Sequence, residues 1–109
     1  MKVDKTTAPL IHAEATAAAV AATDKYLAEN ENWYPCGFSW VLIKPARGAF
    51  VNWLKSQGIG GLKYGGGYQI WNPSGNHTQV MDAKDAGTRA YVEVLEQYGI
   101  NCYAQTRMD

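Results

Sequence analysis

The chain has 109 residues, a length that predicts one domain with its own core and leaves no room for a separate substrate domain. Ten basic residues balance ten acidic ones, which argues against a protein that grips the backbone of a long nucleic acid. No stretch reaches transmembrane length, and the alanine-rich run near the start is too polar for a signal peptide, so we expect a cytoplasmic protein without a membrane partner. The four tryptophans and seven tyrosines exceed what a core of this size needs, which indicates a binding surface.

The first predicted element is a helix over residues 7–29, followed by a core over 36–109 within the same single domain. Thr7 can cap this helix, and Pro9 stands in the first turn, where a missing N–H is tolerated. The many alanines favour helix but bury little area. The helix must therefore either approach a neighbour closely or stay peripheral, and we expect it to be a peripheral appendage to the core.

The core is predicted to begin with a buried strand over 37–44, which Pro45 ends while opening a second helix. A glycine-rich loop then leads to a strand over 68–71. The turn-forming residues at 72–76 predict a hairpin between that strand and another over 77–81. A helix over 82–99 and an alternating strand over 100–106 complete the predicted order.

Residues 50–59 and 91–100 repeat one pattern, FVNWLKSQGI and YVEVLEQYGI. Each segment predicts the end of a helix, closed by a glycine in the left-handed conformation. The element order after the first helix is therefore β-α-β-β-α-β. We predict an α+β fold of the ferredoxin-like split βαβ type, with strand order 4-1-3-2 and an extra N-terminal alanine-rich helix.

This strand order brings several chemical groups to one edge of the sheet. Exposed glycine N–H groups, the start of a helix and an arginine can together hold an anion. The alternative is that the glycines form only a loop. The residues predicted to meet at this edge are Trp33, Tyr34, Cys36, Gly65, Gly66, Gly67, Lys84, Gln105, Arg107 and Asp109.

Strand alternation also predicts one aromatic, amide-rich face of the sheet, made of Gln69, Trp71, His77, Gln79, Tyr103 and Gln105. Its rings, Trp71 and Tyr103, can stack on a base, and its glutamine amides can read the polar edges of that base. The competing interpretation is that the first helix or a second subunit covers this face.

Catalytic and metal-binding patterns are weak in this sequence. Cys36 and His77 are predicted at opposite ends of the sheet, which disfavours a nucleophile and base pair. Cys36 and Cys102 are likewise predicted too far apart for a disulfide bond. The histidine and cysteine spacings fit no metal site, so we predict no cofactor, and a binding protein is favoured over an enzyme.

The segment PCGFSWV at 35–41, followed by Pro45, Arg47 and Phe50, resembles a group of small uncharacterised tailed-bacteriophage proteins. The resemblance spans roughly 33–109 and includes the residues at 72–73, 79–87 and 107–109. It implies a phage accessory protein that acts inside the host cell. Small phage proteins of this size commonly act by binding, including those that sequester nucleotide signals of host immunity.

The leading hypothesis is a phage-type, anti-defence binding protein that captures a nucleotide-like or other small anionic ligand. We expect it to be a homo-oligomer in the host cytoplasm. The alternative is a protein-interaction module that inhibits a host enzyme through the same aromatic surface.

Overall fold

The computed structural model describes residues 2–31 and 35–109. The described part forms a mixed α+β fold with three helices and a four-stranded antiparallel sheet, in the order β2-β3-β1-β4. None of its helices is long and apolar enough to cross a membrane. The elements in chain order are α1 (Ala8–Glu29), β1 (Gly37–Ile43), α2 (Ala49–Ser56), β2 (Gly61–Leu62), β3 (Tyr68–Trp71), α3 (Met81–Gln97) and β4 (Cys102–Met108).

The predicted hairpin between 68–71 and 77–81 is wrong. β3 instead forms a hairpin with β2, which the sequence analysis did not find because two residues carry no periodicity. The other side of β3 pairs with β1, where Trp71 lies opposite Trp40. Residues 77–79 form no strand, and an isolated bridge joins Val80 to Cys36.

Side-chain hydrogen bonds explain why the segment after β3 leaves the sheet. Asn72 adopts a positive φ of 44°, and its Nδ2 donates to the carbonyl oxygen of Asn76 at 2.7 Å. The Oδ1 of Asn76 in turn accepts from the N–H of Thr78 at 2.8 Å. Asn side chains that bond nearby backbone groups compete with strand pairing. The segment therefore folds on itself instead of forming a strand.

The helix α1 is part of the core and not an appendage. It meets α3 at Gly87, where an added Cβ would lie 2.5 Å from Thr23 Oγ1 and 3.0 Å from the carbonyl oxygen of Ala19. Thr23 Oγ1 also donates to the carbonyl oxygen of Ala83 at 2.7 Å. The small alanine side chains therefore allow α1 to pack closely against α3. The fully buried residues of α1 are Ala8, Ile11, Ala15, Ala19 and Thr23.

The start of α1 differs from the prediction in its cap. Thr7 occupies the N-cap position, but its Oγ1 donates to the carbonyl oxygen of Lys2 at 2.7 Å and does not cap the helix. The Oδ1 of Asp4 instead accepts from the backbone N–H groups of Thr6 and Thr7, at 2.8 and 2.9 Å. Hydrogen bonds from Thr6 and Thr7 favour the charged carboxylate and lower the pKa of Asp4 to about 2.

The repeated pattern encodes the same helix ending twice, as predicted. Gly58 and Gly99 both have a positive φ, 69° and 79°. The two residues that follow them, Ile59 and Ile100, each donate a backbone N–H to a leucine carbonyl oxygen five residues earlier, at 3.0 and 3.1 Å. The helix α2 nevertheless begins later than Pro45 predicts, because Gly48 has a φ of 107°, which is not helical.

Candidate functional site

The three helices cover only one face of the sheet. The residues of the sheet that belong to the core cluster, among them Val41, Ile70 and Cys102, all point toward the helices. α3 packs on β1 and β4, and α1 packs on α3 and α2. Of the two coverings considered as the competing interpretation, α1 is therefore not the one on the aromatic face. We call the opposite side the open face, and strand register places Phe38, Trp40, Leu42, Gln69, Trp71, Tyr103, Gln105 and Arg107 on it.

Two stacked tryptophans form the centre of the open face. The rings of Trp40 and Trp71 are stacked, with centroids 4.7 Å apart and planes 26° apart. Trp40 Nε1 donates to Gln105 Oε1 at 2.9 Å, which fixes the inner ring. Phe38 contacts Trp71 edge to face, with centroids 5.9 Å apart. Trp71 is therefore held in place although 46% of its surface stays exposed.

Two cations lie at one end of this aromatic surface. Arg107 Cζ and Lys84 Nζ are each 5.5 Å from the centroid of the Phe38 ring. Lys84 Nζ also donates to the carbonyl oxygen of Gly37 at 2.9 Å, which anchors it beside the start of β1. Among the described residues neither cation forms an ion pair with a carboxylate. This end of the face therefore combines an aromatic ring with two cations that form no described ion pair.

The glycines predicted to join this site lie elsewhere. Residues 65–67 form the turn of the β2–β3 hairpin, in which Lys63 N–H donates to the carbonyl oxygen of Gly67 at 2.9 Å. An added Cβ on Gly67 would lie 2.6 Å from Leu42 and 3.2 Å from Ile43, at the end of β1. Arg107 is paired near the start of β1. The prediction that these glycines lie near Arg107 is therefore wrong. It took 68–71 as the second strand, but the short β2 comes earlier in the chain, so 68–71 is the third strand and runs antiparallel to β1.

The other predicted residues divide into those on the face and those beside it. Gln69 of β3 and Tyr103 of β4 lie on the open face, where each is the strand partner of Leu42. Tyr103 is 48% exposed. Gln79 lies outside the strands, and its carbonyl oxygen accepts from the N–H of Gly37 at 3.2 Å. Trp33 and Tyr34 lie outside the described residues.

Phe38 and Trp40 are the residues that the sequence analysis missed. The composition of 37–44 predicts a buried strand, and composition alone does not separate the two faces of that strand. The signal was present, because the small residues Gly37 and Ser39 alternate with these two rings. Ser39 faces α3, where its Oγ donates to Thr88 Oγ1 at 2.7 Å.

The cysteines lie where the sequence predicts, at opposite ends of β1, and form no disulfide bond. Burial, with a smaller contribution from Glu96, raises the pKa of Cys102 to about 12, so its unreactive thiol form dominates. His77 is not at the far end of the sheet, because Val80, three residues later, bridges Cys36. Within 2–31 and 35–109, no group of three or more acidic, histidine or cysteine side chains is arranged to hold a metal ion.

The open face can stack a planar ring on Trp71, offer amides beside it and attract negative charge at the Arg107 end. None of the hydrogen bonds described on it joins a nucleophile to a base, which acyl-transfer chemistry requires. Comparison with known proteins gave no match to any family model, curated protein or solved structure. The function is therefore argued from this geometry.

Proposed function

We propose that this is a non-enzymatic binding protein whose open face holds a nucleotide-like or other small anionic ligand. The observation that carries the proposal is the exposed ring of Trp71, stacked on Trp40 and close to Phe38 with its two cations. Aromatic side chains on a sheet bind bases by stacking, and arginine holds phosphate or carboxylate through a planar pair of hydrogen bonds.

The remaining side chains of the face supply polar contacts for such a ligand. Gln105 uses Oε1 to accept from Trp40, so its amide N–H groups serve as donors toward a ring on Trp71. Gln69 lies two residues from Trp71 on the same strand and face. Ten basic and ten acidic residues give no net charge, which suits a small anion better than a polyanion.

The biological setting belongs to the same proposal. The resemblance of residues 35–41 to tailed-bacteriophage proteins supports a phage accessory protein in the host cytoplasm, and a nucleotide signal of host immunity as the ligand. The two βα units with matching caps support a ferredoxin-like core. A protein that sequesters its ligand needs affinity and no catalytic group.

Calorimetric titration with a panel of linear and cyclic nucleotides tests this proposal. We expect at least one nucleotide to bind with micromolar or better affinity. Trp71→Ala should weaken that binding at least about fivefold, because a base stacked on an aromatic ring contributes about 1–3 kcal/mol. Tyr64→Ala, which removes a fully exposed ring from the distant β2–β3 turn, should bind like the parent. Absence of binding across the panel would overturn the proposal.

A second candidate, inhibition of a host enzyme through protein contact, is favoured by the exposed apolar side chains on and beside the open face. Trp71, Tyr103 and Met108 are 46%, 48% and 66% exposed, and tryptophan and tyrosine are enriched at interface hot spots. Affinity purification with the wild type, Trp71→Ala and Tyr64→Ala as baits tests this candidate. Enzyme inhibition would be supported over ligand capture if a stoichiometric protein partner binds the wild type and Tyr64→Ala but not Trp71→Ala. Denaturing the purified protein should then release no nucleotide.

A further inference from the structure

The outer edge of β4 presents unpaired backbone groups. Within residues 2–31 and 35–109, β4 lies at the end of the sheet and pairs with β1 alone. Asp109 N–H donates to the carbonyl oxygen of Cys36 at 3.0 Å, and the carbonyl oxygen of Asn101 accepts from Lys44 N–H at 3.1 Å. Backbone groups alternate sides along a strand, so the odd-numbered residues face β1. The outward-facing backbone groups therefore belong to Cys102, Ala104, Thr106 and Met108.

A groove runs along this edge on the helix side. It has a volume of about 540 Å³ and lies between α3, at Val92 and Glu96, and β4, at Cys102 and Ala104. Seven-residue edge strands with free backbone groups are templates for pairing with another strand. The edge and its groove together provide room for a strand and for the side chains that point from it.

We infer that a second copy of this chain pairs its β4 antiparallel with this edge, about a two-fold axis at Gln105. With the axis at Gln105, all seven residues of each strand are paired, and any other symmetric register leaves residues unpaired. Cys102 then lies opposite Met108 of the partner subunit, and Ala104 opposite Thr106 of the partner subunit. These outward-facing residues form the hydrogen-bonded pairs that an antiparallel ladder requires.

The side chains match in this register on both faces of the sheet. Met108, which is 66% exposed, reaches the groove of the partner beside the buried Cys102, where Val92 and Ala104 offer apolar contacts next to the charged Glu96. On the open face, Tyr103 lies opposite Arg107 of the partner subunit, a pairing of an aromatic ring with a cation. Gln105 lies opposite Gln105 of the partner subunit, where two amides can hydrogen-bond. This self-complementarity identifies the occupant of the edge as another copy.

The pairing joins the two open faces into one surface, and it brings Arg107 of the partner subunit to the Tyr103 end. That consequence for binding rests on the proposed function. The pairing itself does not, because it is made by backbone groups and the groove. Its test is therefore carried out without any nucleotide.

Mass measurement by light scattering tests whether the edge associates. We expect the wild type to be a dimer. Thr106→Pro removes an outward-facing N–H, which does not bond to β1, and should give a folded monomer with the wild-type circular dichroism spectrum. The matched variant Thr106→Ala keeps this N–H and should stay dimeric. A monomeric wild type, or a dimeric Thr106→Pro, would overturn the inference.

Disulfide trapping tests the register independently of any proline effect on folding. In a background with Cys36→Ser and Cys102→Ser, Gln105→Cys places two thiols in a non-hydrogen-bonded pair, with Cα atoms about 4.5 Å apart. Mild oxidation should link the two subunits. In Tyr103→Cys the two introduced cysteines of the dimer are about 14 Å apart, because they are offset by four residues along the strands, and they should not link. Linking of Tyr103→Cys as well as or better than Gln105→Cys would contradict this register.

Discussion

The two faces of the sheet are made from alternate residues of the same strands, yet their side chains differ in size and exposure. Toward the helices, small groups such as Ser39, Thr88 and Gly87 let α3 and α1 approach, and no described buried side-chain polar atom lacks a partner. On the open face, Trp40 and Trp71 stack where nothing described covers them. Large rings stabilise a core when buried, so the 46% exposure of Trp71 supports the binding role that we propose for this face. Each prediction below tests one side of this contrast.

The largest expected effect is on the helix-covered side, at Gly87. Gly87→Leu would place its Cβ 2.5 Å from Thr23 Oγ1 and 3.0 Å from the carbonyl oxygen of Ala19, and backbone atoms cannot give way cheaply. We expect the free energy of unfolding to fall by about 3 kcal/mol, the upper part of the range for overpacking. The gain in helix propensity, about 1 kcal/mol, is smaller.

Urea denaturation measures this change. Gln97→Leu is the matched control, because it adds the same side chain at an exposed position of α3 and should shift stability by no more than about 0.5 kcal/mol. A Gly87→Leu variant as stable as its parent would show that α1 can move away from α3 at little cost.

The second effect is on binding by the open face. Arg107→Ala should weaken the affinity for an anionic nucleotide by about 1.5–3 kcal/mol, the value of a hydrogen bond to a charged group. The free energy of unfolding should change by no more than about 1 kcal/mol, because Arg107 is exposed and its contact with the Phe38 ring contributes about 0.5–1 kcal/mol. Arg107→Lys should recover only part of the affinity, since a point charge does not replace the planar guanidinium.

Calorimetry and urea denaturation of the same variants separate the two effects. Arg47→Ala, at the other end of the sheet, is the control and should bind like the wild type. Undiminished affinity in Arg107→Ala, or unfolding of this variant, would remove Arg107 from the ligand site.

Local signals explain which parts of this structure could be predicted from the sequence. The glycine caps at Gly58 and Gly99 were predictable, because the residues that form each cap are contiguous in the chain. The position of α1 was not, because it depends on Gly87 meeting Thr23, far apart in sequence. Only part of the candidate site could be predicted from the sequence. Alternation correctly places Trp71 on the face, and strand order places Arg107 at one edge, whereas the short β2 moves the glycines to the other end of the sheet.

A smaller effect is expected from the buried hydroxyl pair beneath β1. Ser39 Oγ donates to Thr88 Oγ1 at 2.7 Å, and Thr88 Oγ1 donates to the carbonyl oxygen of Lys84 at 3.1 Å. Ser39→Ala should reduce the free energy of unfolding by about 1 kcal/mol, the net value of one hydrogen bond. Denaturation of the single variants and of Ser39→Ala with Thr88→Val measures their coupling. Additive losses would mean that the two hydroxyls stabilise the fold separately.

The smallest effect concerns His12, where the helix-covered side contains a titrating group. Its Nδ1 is hydrogen-bonded to Tyr91 Oη at 2.7 Å, and its ring centroid is 5.5 Å from that of Trp53. Burial lowers the pKa of His12 below the ordinary value of 6.5. Just below pH 6.5 the unfolded chain therefore binds more protons than the native protein. The free energy of unfolding should consequently decrease as the pH falls from 6.5 toward the lowered pKa of His12.

Denaturation at a series of pH values tests this dependence, and His12→Gln should remove most of it. The control is His77→Gln, which replaces the other histidine of the chain, an exposed one. This variant should show the same change of stability with pH as the wild type. Asp4 does not contribute to the pH dependence just below pH 6.5. Its pKa is lowered from 3.8 to about 2, so the stability that it contributes is lost only as the pH falls through that range. If His12→Gln kept the wild-type slope below pH 6.5, the charged imidazole would have to be tolerated between α1 and α3. The contact between these helices would then be looser than the geometry at Gly87 indicates.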